Sequence, residues 1–292
     1  MQDLKGKVLF ITGGASGIGL GITKVLVDAG MRAVIADLRQ DHIDEALAHF
    51  RGRQQGERVH AIRLDVTDRE AMARAADETE RRFGKVHVLF NNAGVDPSGP
   101  FKQATYADWD YALAVNLGGV INGVQTFLPH ILRHGEGGHI FSTASLAGLI
   151  VMPAQMVMYY ATKAAVIAFM ESIRGELAAD QIGVSVLCPG PIKSRIHESG
   201  QNRPERFRAD SGFRQAEEQL SRRVVSDLWM EPEAVGRMCL KAIQNNELYV
   251  ITHGEWREAF QQRVNAILAA MPTEVNAELI ATLRQPPPPA KT

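Results

Sequence analysis

The sequence is poor in several features that would commit a chain to a particular setting. It has only two cysteines, Cys188 and Cys239, in 292 residues. Two thiols cannot form a disulfide framework, nor a zinc site without help, so both are expected to be reduced thiols in a cytoplasmic protein. Net charge is also nearly absent: 32 Lys+Arg against 33 Asp+Glu give −1. Such a balance offers no general attraction to nucleic acid or an anionic membrane, which leaves a small molecule as the expected partner. No stretch approaches the ~20 apolar residues of a membrane-spanning helix. The early run Val8-Leu9-Phe10-Ile11 is too short for a signal-peptide core and leads into a glycine-rich turn, not a cleavage site. No linker splits the chain.

What is present is an alternation of short apolar runs with longer helical patterns. The runs are Val8–Ile11, Ala33–Ala36, His60–Leu64, Val86–Phe90, His139–Phe141, Val184–Leu187 and Leu248–Ile251. They are continuously apolar, as expected of strands covered by helices on both faces. Between them, Glu45–Phe50 and Arg69–Phe83 carry apolar residues at helical spacing, and Thr67 with Glu70 suits a capping box for the second. The expected fold is α/β: a single doubly wound Rossmann-type domain, with a seven-stranded parallel sheet and helices on both faces. That domain is expected over residues 1–255. Residues 193 to about 230 are rich in Arg, Glu and Gln and read as a lid or a poorly ordered excursion. Residues 256–292 read as a helical extension, Trp256–Met271, and a proline-rich tail, Gln285–Thr292.

The turn Thr12-Gly13-Gly14-Ala15-Ser16-Gly17-Ile18-Gly19 follows the first strand and opens a helix. A backbone that must approach a pyrophosphate closely excludes Cβ atoms, and helix N-terminal amides then face the negative charge. Asp37 ends the second strand, where a carboxylate accepts hydrogen bonds from an adenosine ribose and repels a 2′-phosphate. That charge argument favours NAD over NADP. The plainer reading is that Asp37 caps the next helix, with Arg39 softening the repulsion.

Tyr159 and Lys163 stand four apart within the helical pattern Met158–Glu171, so they share a face. A neighbouring ammonium favours the phenolate and lowers a tyrosine pKa from about 10, which would let the phenol exchange a proton with an alcohol or ketone. Such a pair alone is a common coincidence. Here it follows, in order, the glycine turn, Asn91-Asn92-Ala93-Gly94, Asn116 and Ser145, and precedes Cys188-Pro189-Gly190-Pro191-Ile192-Lys193-Ser194. In these motifs the chain resembles the short-chain dehydrogenase/reductase family, from Lys7 to about Ser194 and more loosely to Ile251.

The resemblance implies a catalytic set of Asn116, Ser145, Tyr159 and Lys163. Tyr159 would be the general acid/base and Ser145 would bind the substrate oxygen. Lys163 would bind the nicotinamide ribose and depress the Tyr159 pKa, and Asn116 would hold a relay water. Gly13, Ser16, Gly17, Ile18 and Gly19 would wrap the cofactor, with Asp37 on the adenosine ribose. Asp65 and Val66 would flank the adenine, and Asn92, Ala93 and Gly94 would support the cofactor from below. Pro189, Gly190, Ile192 and Ser194 would place the nicotinamide. The expected activity is NAD-dependent hydride transfer between a secondary alcohol and its ketone. A carbonyl reductase is the alternative, followed by a cofactor-binding sensor, which would not need all four catalytic residues.

Rival residues read as structural: Tyr160 as packing, Cys188 as a buried thiol, and Ser142 as less apt than Ser145. His130 and His134 have i,i+4 spacing but no third ligand in view, so no metal is expected. Arg195, Arg203, Arg206 and Arg208 read as a solvated helix face rather than a carboxylate site. The interval from Ser145 to Tyr159 is about one residue longer than in the family, which points to an altered loop over Leu149–Gln155. Leu149-Ile150-Val151-Met152-Pro153, Met156 and Met158 would form an apolar substrate wall suited to bulky or aromatic groups. The stretches Thr105–Val124, Ile182–Ile196 and Leu248–Arg257 look like bacterial dehydrogenases that oxidise the benzylic alcohol of lignin-derived aryl ethers. Helices Thr105–Arg133 and Tyr159–Ala179 would, by resemblance, pair into a homodimer or homotetramer.

Overall fold

The computed structural model describes residues 1–152, 155–222 and 225–283. The proline run Gln285–Thr292 and Pro153 of the expected substrate wall lie outside the described residues. Seven strands form one sheet: β1 Val8–Thr12, β2 Arg32–Asp37, β3 Val59–Arg63, β4 Val88–Asn91, β5 Gly138–Thr143, β6 Ile182–Cys188 and β7 Tyr249–Ile251. All pairs are parallel, in the order β3-β2-β1-β4-β5-β6-β7. Each strand overlaps one of the apolar runs, with ends moved by a residue or two. The strand order reverses between β1 and β4, and a crevice opens at the carboxyl ends there.

The helices are α1 Gly17–Asp28, α2 Gln40–Gly52, α3 Arg69–Phe83, α4 Tyr106–Ala112, α5 Gly119–His134, α6 Val157–Leu177, α7 Glu205–Arg208, α8 Arg214–Leu220, α9 Pro232–Asn245, α10 Arg257–Ala270 and α11 Ala277–Leu283. Alternate strand residues feed two cores. Leu9, Ile11, Ile35 and Phe90 pack with Ile22 and Leu26 of α1, Phe50 of α2 and Cys239 of α9. Phe10, Val34, Leu89 and Ile140 point the other way, onto Met72 of α3, Phe127 of α5 and Met170 of α6. Burying each large side chain contributes roughly 1.5–3 kcal/mol, which is why the strands carry no polar alternation.

Three local expectations change. Helix α3 is capped by Asp68, whose carboxylate accepts from the Ala71 amide at 2.9 Å; the Thr67 hydroxyl donates instead to Asp65 at 2.7 Å. Asp68 outcompetes Thr67 because it sits at the position whose side chain faces the free amides. The expected helix Thr105–Arg133 is interrupted by a π-helical turn, Leu113–Gly118, between α4 and α5. The segment 193–222 is folded rather than an irregular excursion: a 3₁₀ stretch Ile196–Asn202, α7 and α8.

Residues Met1–Gly254 form one compact unit and Glu255–Thr292 a second, which contains α10 and α11. Among the described residues no helix is long and apolar enough to cross a membrane. Both cysteines are buried free thiols, and burial pushes the Cys188 thiol up to about 12.

Candidate active site

The crevice is an open cleft of about 1190 Å³, counting the space at its mouth. Its lining runs from Asp37 and Asp65 at one end to Tyr159, Lys163 and Pro189 at the other. Gly13 and Gly17 adopt φ of +61° and +48°, a left-handed backbone that bends the chain from β1 into α1. A Cβ on Gly19 would lie 2.0 Å from the Gly13 carbonyl oxygen, so this turn closes only with glycine. Gly13, Ser16, Gly17 and Ile18 line the cleft, whereas Gly19 stands behind them as packing. Asn92 ties the floor together. Its side-chain amide donates to the Gly13 carbonyl at 3.0 Å, and its oxygen accepts from Thr143 at 3.1 Å. The Thr12 hydroxyl accepts from the amides of Asn92 and Ala93. A free helix N-terminus, a glycine cradle that a Cβ would fill and a long groove together fit a dinucleotide.

At one end of the groove the buried Asp37 carboxylate accepts from the Ala15 amide at 3.3 Å and the Arg39 amide at 3.1 Å. Asp37 therefore holds the glycine turn and is not the cap of α2, which is preceded by Arg39. Burial pushes its carboxyl above the usual range, against those two amides. The Arg39 guanidinium is bound to Asp41 and reaches Asn202 at 3.4 Å. Asp65 and Val66, after β3, line the same end.

At the other end stands the reacting wall. Tyr159 and Lys163 lie on the buried face of α6, and both border the cleft. Ser145, just past β5, stands beside the Tyr159 phenol, accepts from the Ala147 amide at 3.1 Å, and donates to the Pro189 carbonyl at 3.4 Å. Ser142 instead accepts from Asn91 at 3.3 Å inside the sheet. The lengthened loop thus still brings serine to tyrosine. The Lys163 ammonium donates to the Thr143 carbonyl at 2.8 Å and lies 5.5 Å from the centre of the Tyr159 ring. Asn116 projects from the π-helical turn, an irregularity that often marks functional positions. Its oxygen accepts from the Val95 amide at 2.8 Å and its amide donates to the Val95 carbonyl and to Thr162. A Cβ on Gly94 would fall 3.2 Å from the Lys163 nitrogen and 3.3 Å from the Asn116 oxygen, so Gly94 is the gap between them.

The electrostatics differ from the expectation for Tyr159. In the free chain burial raises its pKa, the charge of Asp96 adds to the rise, and the neighbouring Ser145 hydroxyl only partly opposes it. Lys163 is itself pulled down to about 8 by burial. Desolvation outweighs the lysine's proximity because both groups lie out of water.

Pro189 and Ser194 line the cleft. Gly190 is fixed from behind, its amide donating to the Thr252 hydroxyl at 2.9 Å, and Ile192 is buried and bridged to Met230. Of the expected substrate wall, Ile150 and Met158 are core residues while Val151 and Met152 are exposed. Val95, Tyr111, Val115 and Ile196 are among the apolar residues that do border the cleft.

Residues 196–222 form a roof over this cleft, and here the arginine expectation fails for Arg203, while Arg195 and Arg206 are exposed. Arg203 is the largest fully buried side chain, not a solvated one. It pairs with Asp108 at 3.0 Å and with Glu217, and its guanidinium lies 4.5 Å from the centre of the Tyr111 ring. Asp108 also accepts from Thr105, Ser211 and Gly212. Ser199 completes the attachment: its hydroxyl accepts from the Asp96 amide at 3.0 Å and its carbonyl from Tyr111 at 3.1 Å. Arg195 pairs with Glu45, Arg206 with Asp65, and Arg208 donates to two carbonyls, so none is an idle cation. Sequence reasoning missed Asp96, Tyr111, Ser199, Asn202 and Pro204. The Asn-Asn-Ala-Gly-Val-Asp run that places Asp96 beside a known cofactor motif was the one available signal.

His130 and His134 are engaged separately, His130 with Glu80 at 2.9 Å and His134 with the Val86 carbonyl at 2.8 Å. Among the described residues His87, His134 and Glu136 bring ligand atoms within 4.8 Å, but Lys7 and Lys85 already bind the Glu136 carboxylate.

Residues 7–204 match the short chain dehydrogenase family. The chain belongs to that family and is an oxidoreductase. It is 41% identical over 281 residues to a C alpha-dehydrogenase of Sphingobium sp. strain SYK-6, covering 95% of this chain and 91% of that one. The solved apo form of LigO from the same strain is 40% identical with a TM-score of 0.78, covering 97% and 95% of the two chains. A short-chain dehydrogenase/reductase of Burkholderia phymatum, solved with NAD, is 32% identical with a TM-score of 0.85, covering 95% of this chain and all of the other. Solved relatives carry NAD in one case and NADP in another, so the family assignment itself implies NAD(P).

Proposed function

We propose that this dehydrogenase uses NAD to oxidise a bulky, aromatic secondary alcohol to its ketone, and that the benzylic carbinol of a lignin-derived aryl ether is the substrate class. The observation that carries the reading is the placement of Tyr159 and the buried Lys163 on the cleft wall, with Ser145 beside the phenol, at the end of a glycine-floored groove. Bound NAD supplies the hydride acceptor. Ser145 would hold the carbinol oxygen, and Tyr159, as the tyrosinate that the Lys163 ammonium favours, would take the hydroxyl proton while the carbinol carbon gives up its hydride, leaving C=O. Lys163, mostly protonated at neutral pH with its pKa near 8, offers the positive charge that a tyrosinate needs. Asn116 keeps the Val95 backbone and α6 in register behind it.

Asp37 supports NAD over NADP, and the nearby Arg39 charge, taken up by Asp41, would have to leave that carboxylate to receive a 2′-phosphate. Val95, Tyr111, Val115 and Ile196 give the cleft an apolar, aromatic lining that suits an aryl substrate. The 41% identical relative is a C alpha-dehydrogenase, in keeping with oxidation at a carbinol carbon.

The test is reduced-cofactor absorbance with NAD or NADP against a panel of secondary alcohols that includes aryl-glycerol ethers. Turnover with NAD on the aryl ethers, lost by about 10²-fold or more in Tyr159→Phe, is expected. An undiminished Tyr159→Phe rate would remove the tyrosine from its role, and faster reaction with NADP would overturn the reading of Asp37.

A further inference from the structure

The roof does not stop over the reacting wall; it also crosses the opposite end of the groove. β2 and β3 are neighbours, with Asp37 beside Arg63, so the residues that follow them form two facing banks. Arg39 stands on the β2 bank, and Asp65 and Thr67 stand on the β3 bank; all three border the groove. Between β6 and α9 the chain returns over this end. Asn202 accepts from Arg39 at 3.4 Å, and Arg206 donates to Thr67 at 2.8 Å and to Asp65 at 3.4 Å. Asn202 and Pro204 themselves line the groove. Four residue steps reach at most ~14 Å, so this short strap runs directly from bank to bank.

The strap is pinned at its middle. Arg203 points away from the groove into the buried pair of Asp108 and Glu217. Its two hooks are different in kind: the Arg206 and Asp65 side chains are 54% and 29% exposed, which keeps that contact weak enough to open repeatedly. A fixed centre with detachable ends is the arrangement of a clasp.

We propose that residues 202–206 clasp the adenosine half of the bound cofactor, with Asn202 and Pro204 as the inner face and Arg206 as the positioning residue that fastens it to the β3 bank. The proposal rests on the dinucleotide reading of the groove given above. It makes part of the roof a cofactor-binding element, and opening of Arg206 and Asn202 a step in cofactor release.

The test uses the full chain and two cofactor fragments. ADP-ribose reads the adenosine half alone, and nicotinamide mononucleotide reads the other half. In Asn202→Ala/Arg206→Ala, calorimetric titration should show ADP-ribose binding weakened by about three- to tenfold, as expected of two partly exposed polar contacts. Its release in stopped flow should be faster by a similar factor. Nicotinamide mononucleotide affinity should hold, and Arg206→Lys in a chain with Asn202 intact should keep most of the affinity. ADP-ribose affinity within threefold of wild type, or an equal loss for both fragments, overturns the clasp while leaving the dinucleotide groove intact. A wild-type chain that binds neither NAD nor ADP-ribose overturns the groove reading itself.

Discussion

The reacting wall and the roof face each other across one cleft, yet their polar groups are held in different ways. Ser145 follows β5, Lys163 and Tyr159 lie on one face of α6, and Asn116 hangs from a turn between two helices. Each lies in, or within a few residues of, an element packed into the sheet's own core. The roof has no strand and only short helices. Its position depends on one buried arginine shared by two carboxylates, with the Asp96–Ser199 and Tyr111–Ser199 bonds beside it. Backbone ladders and apolar burial place the wall; buried charge places the roof. A buried ion pair adds little net stability over an apolar substitute, but losing one partner costs a great deal. The roof should therefore come loose at one residue, while the wall should not.

The largest effect that would break this comparison comes from Arg203→Met. It leaves Asp108 and Glu217 buried without their cation, at a cost of about 3–5 kcal/mol. Because the loss falls on the roof, proteolysis within 196–222 should accelerate by two or more orders of magnitude while the sheet remains folded. A uniform loss of stability, with no preferential cleavage there, would show that wall and roof form one cooperative piece.

A second measurement sharpens the account of the wall. Lys163 titrates near 8 in the folded chain and near 10.5 when unfolded. Between those values the unfolded chain holds a proton that the folded chain has released. Stability therefore rises with pH across that window, by at most about 1.4 kcal/mol per unit. Urea unfolding of wild type and Lys163→Met from pH 7 to pH 10 should show wild type gaining on the variant above pH 8. Parallel curves would mean that the Lys163 site is wetter than its burial implies.

The smallest effect is expected from Thr105→Ala, at the start of α4. The Asp108 carboxylate reaches back to the Thr105 amide and hydroxyl, both at 3.0 Å, while also holding Arg203. Losing the hydroxyl should cost about 1 kcal/mol. Roof proteolysis should rise less than tenfold, since Arg203, Ser211 and Gly212 still hold Asp108. An effect as large as that of Arg203→Met would shift the credit from the ion pair to the helix cap.

Legibility in the sequence follows the same divide. The seven strands could be read because burial on both faces leaves continuous apolar runs, and the glycine turn because Gly13, Gly17 and Gly19 answer local steric demands. Tyr159 and Lys163 were paired by helical spacing alone. Thr67 was expected as the cap that Asp68 provides, since both are good capping residues and only the helix phase chooses between them. Arg203 was misread because its neighbours, Arg206 and Arg208, are partly exposed, and nothing local marks one arginine of a basic stretch for burial. Its partners stand far away in the chain, at Asp108 and Glu217.

The sequence by itself determined the sheet, the glycine floor and the order of the reacting residues, because each depends on spacing within a few residues or on the polarity of a single run. Tertiary structure decided the rest. It chose which arginine is buried and which carboxylates receive it. It also raised the Tyr159 pKa by burial and brought Asn202 and Arg206 to the Asp37 end of the groove. Those outcomes depend on desolvation and on contacts between residues remote in the chain, and both exist only once the elements have packed.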